Sequence, residues 1–387
     1  MIARRASHIK PFIVMEILEK ANEMEREGID VVHMEVGEPD FDTPQCIKAA
    51  LKQAVEDGHT HYTHSLGDFA LRKAIARHYE STYRVSCDPD CIIVTSGTSP
   101  AMFLLFSALV EQDDEVILSN PHYACYPNFI EYMGGKAVKV TVHAEDGFQF
   151  RMDNVREALT GNTRAILVNS PANPTGNHLS PSRMKEIAAF AEAHNLYVIS
   201  DEIYHGLTYE GKDHSILEYT NQAFVLNGFS KLYAMTGLRL GYLIAPEPFI
   251  RPMQKLQQNF FISANSTVQH AGIAALEQAG PDVNEMKRIY NERRLFLIRR
   301  LKELGFDIPR EPTGAFYVFA NARHLAKDSL KLAFDILEKA HVGVTPGIDF
   351  GENGEGYLRF SYANSIDNLK EGMNRLEAYL SHAHQIG

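Results

Sequence analysis

The chain has 387 residues, 45% hydrophobic and 22% charged, the composition of an ordinary globule with core enough for two or three domains. Lys and Arg total 38 against 49 Asp and Glu, and the net charge of -11 gives no general attraction for nucleic acid or an anionic membrane. No apolar stretch reaches bilayer-spanning length, and the start MIARRASHIKPF lacks the apolar core and cleavage site of a signal peptide, so a cytoplasmic location is expected.

Residues 11–27 read as a helix, with Pro11 at the first helical position, Ile13, Ile17, Ala21 and Met24 on one face, and Gly28 as the stop. From residue 45 onward short β-rich runs alternate with helical segments: CIIVTSG then AMFLLFSALV, EVILSNP, KAVKVTV, TRAILVNSP, LYVISDE after a helix over 181–195, and AFVLNGFSK. That alternation predicts an α/β fold with a mostly parallel sheet sandwiched by helices. Only about ten residues, with no helical pattern, separate AFVLNG from RLGYLIAP, too few for a parallel crossover. The seventh strand is therefore expected to run antiparallel.

A helical region over 247–304 leads to PTGAFYVF, a helix at 328–340 with Leu330, Phe334 and Leu337 on one face, two strands around 342–362, and a terminal helix. This is a smaller α+β unit. The N-terminal helix has no strand partners of its own nearby and is grouped with it. The expected division is a large domain over 45–290 and a discontinuous small domain made of 1–44 plus 291–387.

Ligands of open α/β sheets bind outside the carboxyl ends of the strands. Gly97, Thr98 and Ser99 follow CIIVTS there, Asn173 follows AILVNSPA, Asp201 and Tyr204 follow LYVIS, and Ser230 with Lys231 follow AFVLNGF. Each is ordinary alone. SGTS is a common strand-to-helix turn, an Asp at a strand end is often a cap, NPTG is a plausible turn, and a loop Lys or Arg239 is usually a solvated charge. Their placement at the ends of successive strands points to one site.

These stretches resemble the class I/II aminotransferases of the fold-type-I pyridoxal-phosphate (PLP) superfamily, in particular the bacterial aspartate aminotransferase-like branch. The matching segments are VGEPDFDTP at 36–44, YTHSLGDFALR at 62–72, VTSGTSPAM at 94–102, NPHYACYP at 120–127, NSPANPTGN at 169–177, SDEIYHGLTYEG at 200–211, GFSKLYAMTGLRLGYL at 228–243 and GYLRFSYA at 356–363. They span most of the chain in the family's order. The resemblance implies Lys231 as the lysine that bonds the cofactor and, once a substrate amine displaces it, moves the proton. It implies Asp201 against the pyridine nitrogen, Asn173 and Tyr204 at the 3-oxygen, and Tyr123 stacked on the ring, where many relatives have Trp. The phosphate falls to Gly97, Thr98, Ser99, Ser230 and Arg239, joined by Tyr62 from the second subunit of a homodimer. Arg359 is implied to grip the substrate α-carboxylate, with Gly37 closing over it.

The activity so implied is ping-pong transfer of an amino group between an L-amino acid and a 2-oxo acid, with glutamate and 2-oxoglutarate as one pair. A PLP-dependent carbon–sulfur β-lyase would use the same residues. A regulatory PLP-sensing domain fits poorly, because about 40 residues with one amphipathic helix precede the sheet pattern in an acidic chain. His59, His61 and His64 in GHTHYTHSLG are close enough to suggest a metal, but no carboxylate–histidine helix motif accompanies them. No β-run is followed by GxGxxG, which disfavours a nicotinamide dehydrogenase. Cys46, Cys87, Cys91 and Cys125 suggest neither a disulfide framework nor a zinc ribbon. Which amino-acid side chain is preferred stays open, since Ser99 replaces a lysine found in some acidic-substrate relatives.

Overall fold

The computed structural model describes residues 2–383. Seven strands form the main sheet: β2 (Ile92–Thr95), β3 (Glu115–Asn120), β4 (Lys136–Thr141), β5 (Thr163–Asn169), β6 (Tyr197–Asp201), β7 (Ala223–Gly228) and β8 (Gly241–Ile244), in the order β2-β8-β7-β6-β5-β3-β4. As the short connection requires, β8 is antiparallel to both its neighbours, β7 and β2, while the other pairings are parallel. Successive residues of a strand face opposite sides, so the sheet feeds two cores. Ile92, Val94, Ile117, Ile166 and Val168 pack with Leu71, Ile75 and Ile187 of helices on one face. Ile93, Val116, Leu118, Ala165 and Leu167 pack with Met102, Leu105 and Met253 on the other.

A third core joins both ends of the chain. It contains Ile17, Ala21 and Met24 of helix Ile13–Arg26, Leu332, Ile336 and Leu337 of helix Ser329–Ala340, and Leu369, Met373 and Leu376 of helix Ile366–Ala383. A sheet of β9 (Tyr317–Asn321), β11 (Thr345–Pro346) and β12 (Tyr357–Ser361), in the order β11-β12-β9, lies with them, and β1 (Val32–His33) pairs in parallel with β10 (Val342–Gly343). The 342–362 region thus forms three short strands, not two. Pairings of two residues leave no periodicity to read in a sequence.

Several boundaries differ from expectation for local reasons. Helix Ile13–Arg26 begins after Pro11, with Phe12 as its cap residue, and its buried face is Val14, Ile17, Ala21 and Met24. Starting the stripe at Ile13 or at Val14 gives arcs of equal width, so spacing alone does not choose between them, and packing leaves Ile13 half-buried on the flank. In helix Ser329–Ala340 the buried stripe is Leu332, Ala333, Ile336, Leu337 and Ala340, and Leu330 and Phe334 lie on its half-buried flank. The helical region over 247–304 is three helices, Glu247–Phe260, Ser266–Gln278 and Gly280–Glu303, with Asn265 capping the second. Among the described residues no helix is long and apolar enough to cross a membrane.

Candidate active site

The carboxyl ends of β2, β5, β6 and β7 meet the third core across a cavity of about 210 Å³. Its wall includes Gly37, Thr98, Ser99, Tyr123, Asn173, Asp201, Tyr204, Lys231 and Arg359, so nine separated positions singled out in the sequence converge on one space. Gly97, Ser230 and Arg239 adjoin these residues in the chain or, for Arg239, in space. Tyr62 is outside the wall and 82% exposed in the single chain.

Lys231 follows β7 and donates from Nζ to the Gly37 carbonyl at 2.6 Å. Burial brings its pKa down to about 8, with Arg359 and Arg239 adding to the fall and Glu38 opposing it. A neutral, nucleophilic amine is therefore accessible near neutral pH. Asp201, the last residue of β6, is buried, and burial raises its carboxyl to about 6 against the opposing hydrogen bonds. Those bonds come from the Tyr126 hydroxyl to Oδ2 at 2.6 Å and the Ile203 amide to Oδ1 at 3.1 Å. Both favour the ionised form and limit the rise that burial causes.

Arg359 on β12 is 2% exposed. Its hydrogen bonds go to neutral oxygens: Asn173 Oδ1 at 2.9 Å, Thr345 Oγ1 at 3.0 Å, and the Glu35 carbonyl. Its Nε has no hydrogen-bond partner among the described residues, and the guanidinium lies 4.3 Å from the Tyr317 ring centre and 4.9 Å from that of Phe350. Aromatic faces stabilise a planar cation without neutralising it, so the charge remains available to an incoming anion. Tyr317 also shares a 2.8 Å hydrogen bond with Tyr204.

Beside these groups the backbone makes a cup. Gly97 takes φ of 96° and precedes helix Thr98–Leu109 without a side-chain cap, which leaves the first amides of the helix free to face an anion. A Cβ at Gly97 would come within 2.5 Å of Arg239 Nη2, and one at Gly241 within 2.8 Å of the Thr98 amide nitrogen. Glycine at both positions lets the helix start, β8 and the guanidinium close on each other. Pyridoxal phosphate has an aldehyde, a ring nitrogen and a phosphate. The cavity has a depressed-pKa amine, a buried carboxylate and an amide-lined cup beside an arginine, so the residues present fit it.

The histidine-rich segment does something else. His59 stacks on His270 with ring centres 4.1 Å apart, and His64 Nδ1 accepts the Leu66 amide at 3.2 Å. Among the described residues no three His, Cys, Asp or Glu side chains are grouped to hold a metal.

Residues absent from the sequence reading also build the site. Phe12, Val14 and Met15 line the cavity, Tyr126 and Tyr317 bond Asp201 and Tyr204, and Asn169 holds the Asn173 amide at 2.7 Å and the Asp201 carbonyl at 2.9 Å. Asn169 ends β5, so the strand-end argument covered it. Tyr126 stood inside the quoted segment NPHYACYP. Phe12 and Met15 had no signal, because helix entry into a distant cavity leaves no local pattern.

A lysine and a carboxylate at adjoining strand ends of this sheet, above an amide-lined anion cup, define a fold-type-I pyridoxal-phosphate enzyme. The family described as aminotransferase class I and II matches residues 29–376, and the chain belongs to that family, whose members use pyridoxal 5'-phosphate. It is 40% identical over 385 residues to a (5-formylfuran-3-yl)methyl phosphate transaminase of Methanocaldococcus jannaschii, covering 98% of this chain and 100% of the relative. An aspartate aminotransferase of Pyrococcus horikoshii is also 40% identical, over 98% of this chain and 97% of its own. The solved Thermus thermophilus aspartate aminotransferase with maleate superposes with a TM-score of 0.94 at 36% identity, covering 98% and 99% of the two chains. The protein is a transaminase of the aspartate and aromatic aminotransferase group.

Proposed function

We propose that this transaminase runs a ping-pong cycle in which an L-amino acid gives its amino group to the bound cofactor and a 2-oxo acid then takes it, glutamate and 2-oxoglutarate forming one pair. The observation that carries the reading is Lys231: an amine with a pKa lowered to about 8, its Nζ held by the Gly37 carbonyl in a cavity that also contains Asp201. Bound there, pyridoxal phosphate supplies the electron sink for breaking a bond at the substrate's Cα.

In this reading Arg359 binds the substrate α-carboxylate, for which a guanidinium hydrogen-bonded to neutral oxygens is suited, and Gly37 closes over the same group. Lys231 first anchors the cofactor, then takes the proton from the substrate Cα and returns it on the other side of the transfer. Asp201 would hold the proton on the ring nitrogen, Asn173 with Tyr204 would hydrogen-bond the 3-oxygen, and Tyr123 would cover the ring. Gly97, Thr98, Ser99, Ser230 and Arg239 take the phosphate. Tyr62, bare at 82% exposure, reaches the same phosphate in a second copy, making the active unit a homodimer. Residues 45–290 form the cofactor domain and 1–44 with 291–387, of which Met1 and 384–387 lie outside the described residues, the small domain of a cytoplasmic enzyme.

The test is the visible absorption spectrum of holoenzyme titrated with single L-amino acids and no oxo acid. Loss of the visible band in favour of a near-ultraviolet one, restored by 2-oxoglutarate and abolished by Lys231→Ala, is the expected result. Pyruvate and ammonia released without an acceptor would instead identify a β-lyase.

A further inference from the structure

Helix Ile13–Arg26 starts without a cap of its own, since Phe12 makes no side-chain hydrogen bond to it. Asp349, more than 300 residues away in sequence, takes that place: the Ile13 amide donates to Oδ1 at 3.0 Å and the Val14 amide to Oδ2 at 3.3 Å. A carboxylate there satisfies two orphan donors and meets the positive end of the helix dipole. Asp349 is 8% exposed and belongs to the turn Gly347–Phe350 that follows β11. The segment 345–350 touches Arg359 from two sides, through Thr345 Oγ1 and the Phe350 ring.

The helix start so pinned puts Phe12, Val14 and Met15 into the cavity wall, with the Phe12 ring edge-on to Tyr123 at 6.0 Å. Met15 lines the cavity yet is 44% exposed, an apolar surface with room for a contact. The cations in the wall, Lys231 and Arg359, are both committed to the reacting amine and the α-carboxylate.

We propose that Asp349 is a positioning residue: it clamps Phe12–Met15 as an apolar wall against which a large uncharged substrate side chain, aromatic or branched aliphatic, packs. This rests on the aminotransferase reading above. A side chain of that class gains contact in proportion to the apolar area it covers, whereas the methyl group of alanine offers the wall little. The wall acts on substrate only when Asp349 holds it.

The experiment compares kcat/KM of holoenzyme for L-phenylalanine and L-alanine in Asp349→Ala, Phe12→Ala and the double variant, with the cofactor's visible band as the check on loading. For phenylalanine each single change is expected to cost about 10- to 100-fold, the range for misplaced binding groups. The double variant is expected to lose no more than the worse single one. Alanine should lose less than phenylalanine in every variant, since its methyl group covers little of the wall, and Asp349→Asn should recover part of the phenylalanine loss. Equal losses for both substrates, or losses that multiply in the double variant, overturn the proposal. Should Asp349→Ala not fold, Asp349→Asn with Phe12→Ala makes the same cycle. Wild-type protein that converts neither amino acid removes the aminotransferase reading itself, a result distinct from these.

Discussion

Tyr126 donates its hydroxyl proton to Asp201 Oδ2 at 2.6 Å, and both groups are buried in the wall of the cavity. Burial raises the Asp201 carboxyl and this bond opposes the rise. In Tyr126→Phe the opposing bond is gone, so the pKa moves further up and the ionised fraction at neutral pH falls. A hydrogen bond to a charged group contributes about 1.5–3 kcal/mol, so the acid limb of the kcat profile should move up by about one to two pH units. A pH–rate profile of Tyr126→Phe that overlays the wild type would show that Asp201 is not the group whose ionisation matters.

Lys231 has its pKa lowered to about 8, burial being the largest cause. Only the neutral amine can attack an aldehyde, so cofactor uptake by apoenzyme should speed up as pH rises and level off above about 8 rather than near the value of a free lysine. Stopped-flow recovery of the visible band across pH 6–10 checks this. Lys231→Arg, protonated throughout, should give no band at any pH.

Gly37 is required by its neighbour: a Cβ there would lie 1.9 Å from Tyr317 Oη. Gly37→Ala therefore has to displace the tyrosine that bonds Tyr204 at 2.8 Å and lies under Arg359. The expected result is a stability loss of about 1–3 kcal/mol with folding retained. kcat/KM should fall about 100-fold, as for a 1 Å misplacement of binding groups. Steady-state kinetics alongside thermal unfolding measure the two separately, and adding Tyr317→Phe, which removes the clashing oxygen, should restore part of the stability.

His33 bridges Glu35 at 2.6 Å and Glu25 at 3.2 Å, and its pKa rises to about 9, chiefly through the bond to Glu35. The folded value exceeds the unfolded one near 6.5, so the stabilisation is complete below about pH 6.5 and is lost as pH rises through 9. After discounting for the solvent that reaches this ring, the loss should be about 1 kcal/mol. Urea unfolding at pH 6.5 and 9.5 should show it in the wild type, and His33→Gln should flatten that difference.

How much of this was legible in the sequence follows from the range of the forces involved. Six of the seven strands of the main sheet carry a contiguous apolar run, the edge strand β4 (KAVKVT) being broken by Lys139, and the short link before β8 gave its direction through chain geometry alone. Gly97, Asn173, Asp201 and Lys231 were found because strand ends share a rim wherever the sheet is folded. Phe12 and Met15 were missed because their place depends on Asp349, far along the chain. Tyr317 was missed because its tasks, bonding Tyr204 and lying under Arg359, are set by the meeting of two cores. The stripes on helices Ile13–Arg26 and Ser329–Ala340 were each misassigned in part because both carry apolar residues on their flanks, and only the packing partner decides which face is inner.

Because β8 runs back antiparallel, the single loop between β7 and β8 starts at Ser230 and Lys231 and returns to the same rim at Arg239. The two cationic groups proposed to anchor opposite ends of the cofactor are thus spaced like the jaws of a fixed wrench, set by one short stretch of chain. Gly228 and Gly241 press together at its base, where a Cβ on Gly228 would sit 3.0 Å from the Gly241 Cα. The spacing of the jaws is therefore set within the sheet, while the Lys231 amine itself is steadied by the Gly37 carbonyl of the N-terminal segment. When a substrate amine takes the place of Lys231, as proposed, Arg239 on the same stretch of chain would keep its end of the cofactor and the freed lysine would stay within reach.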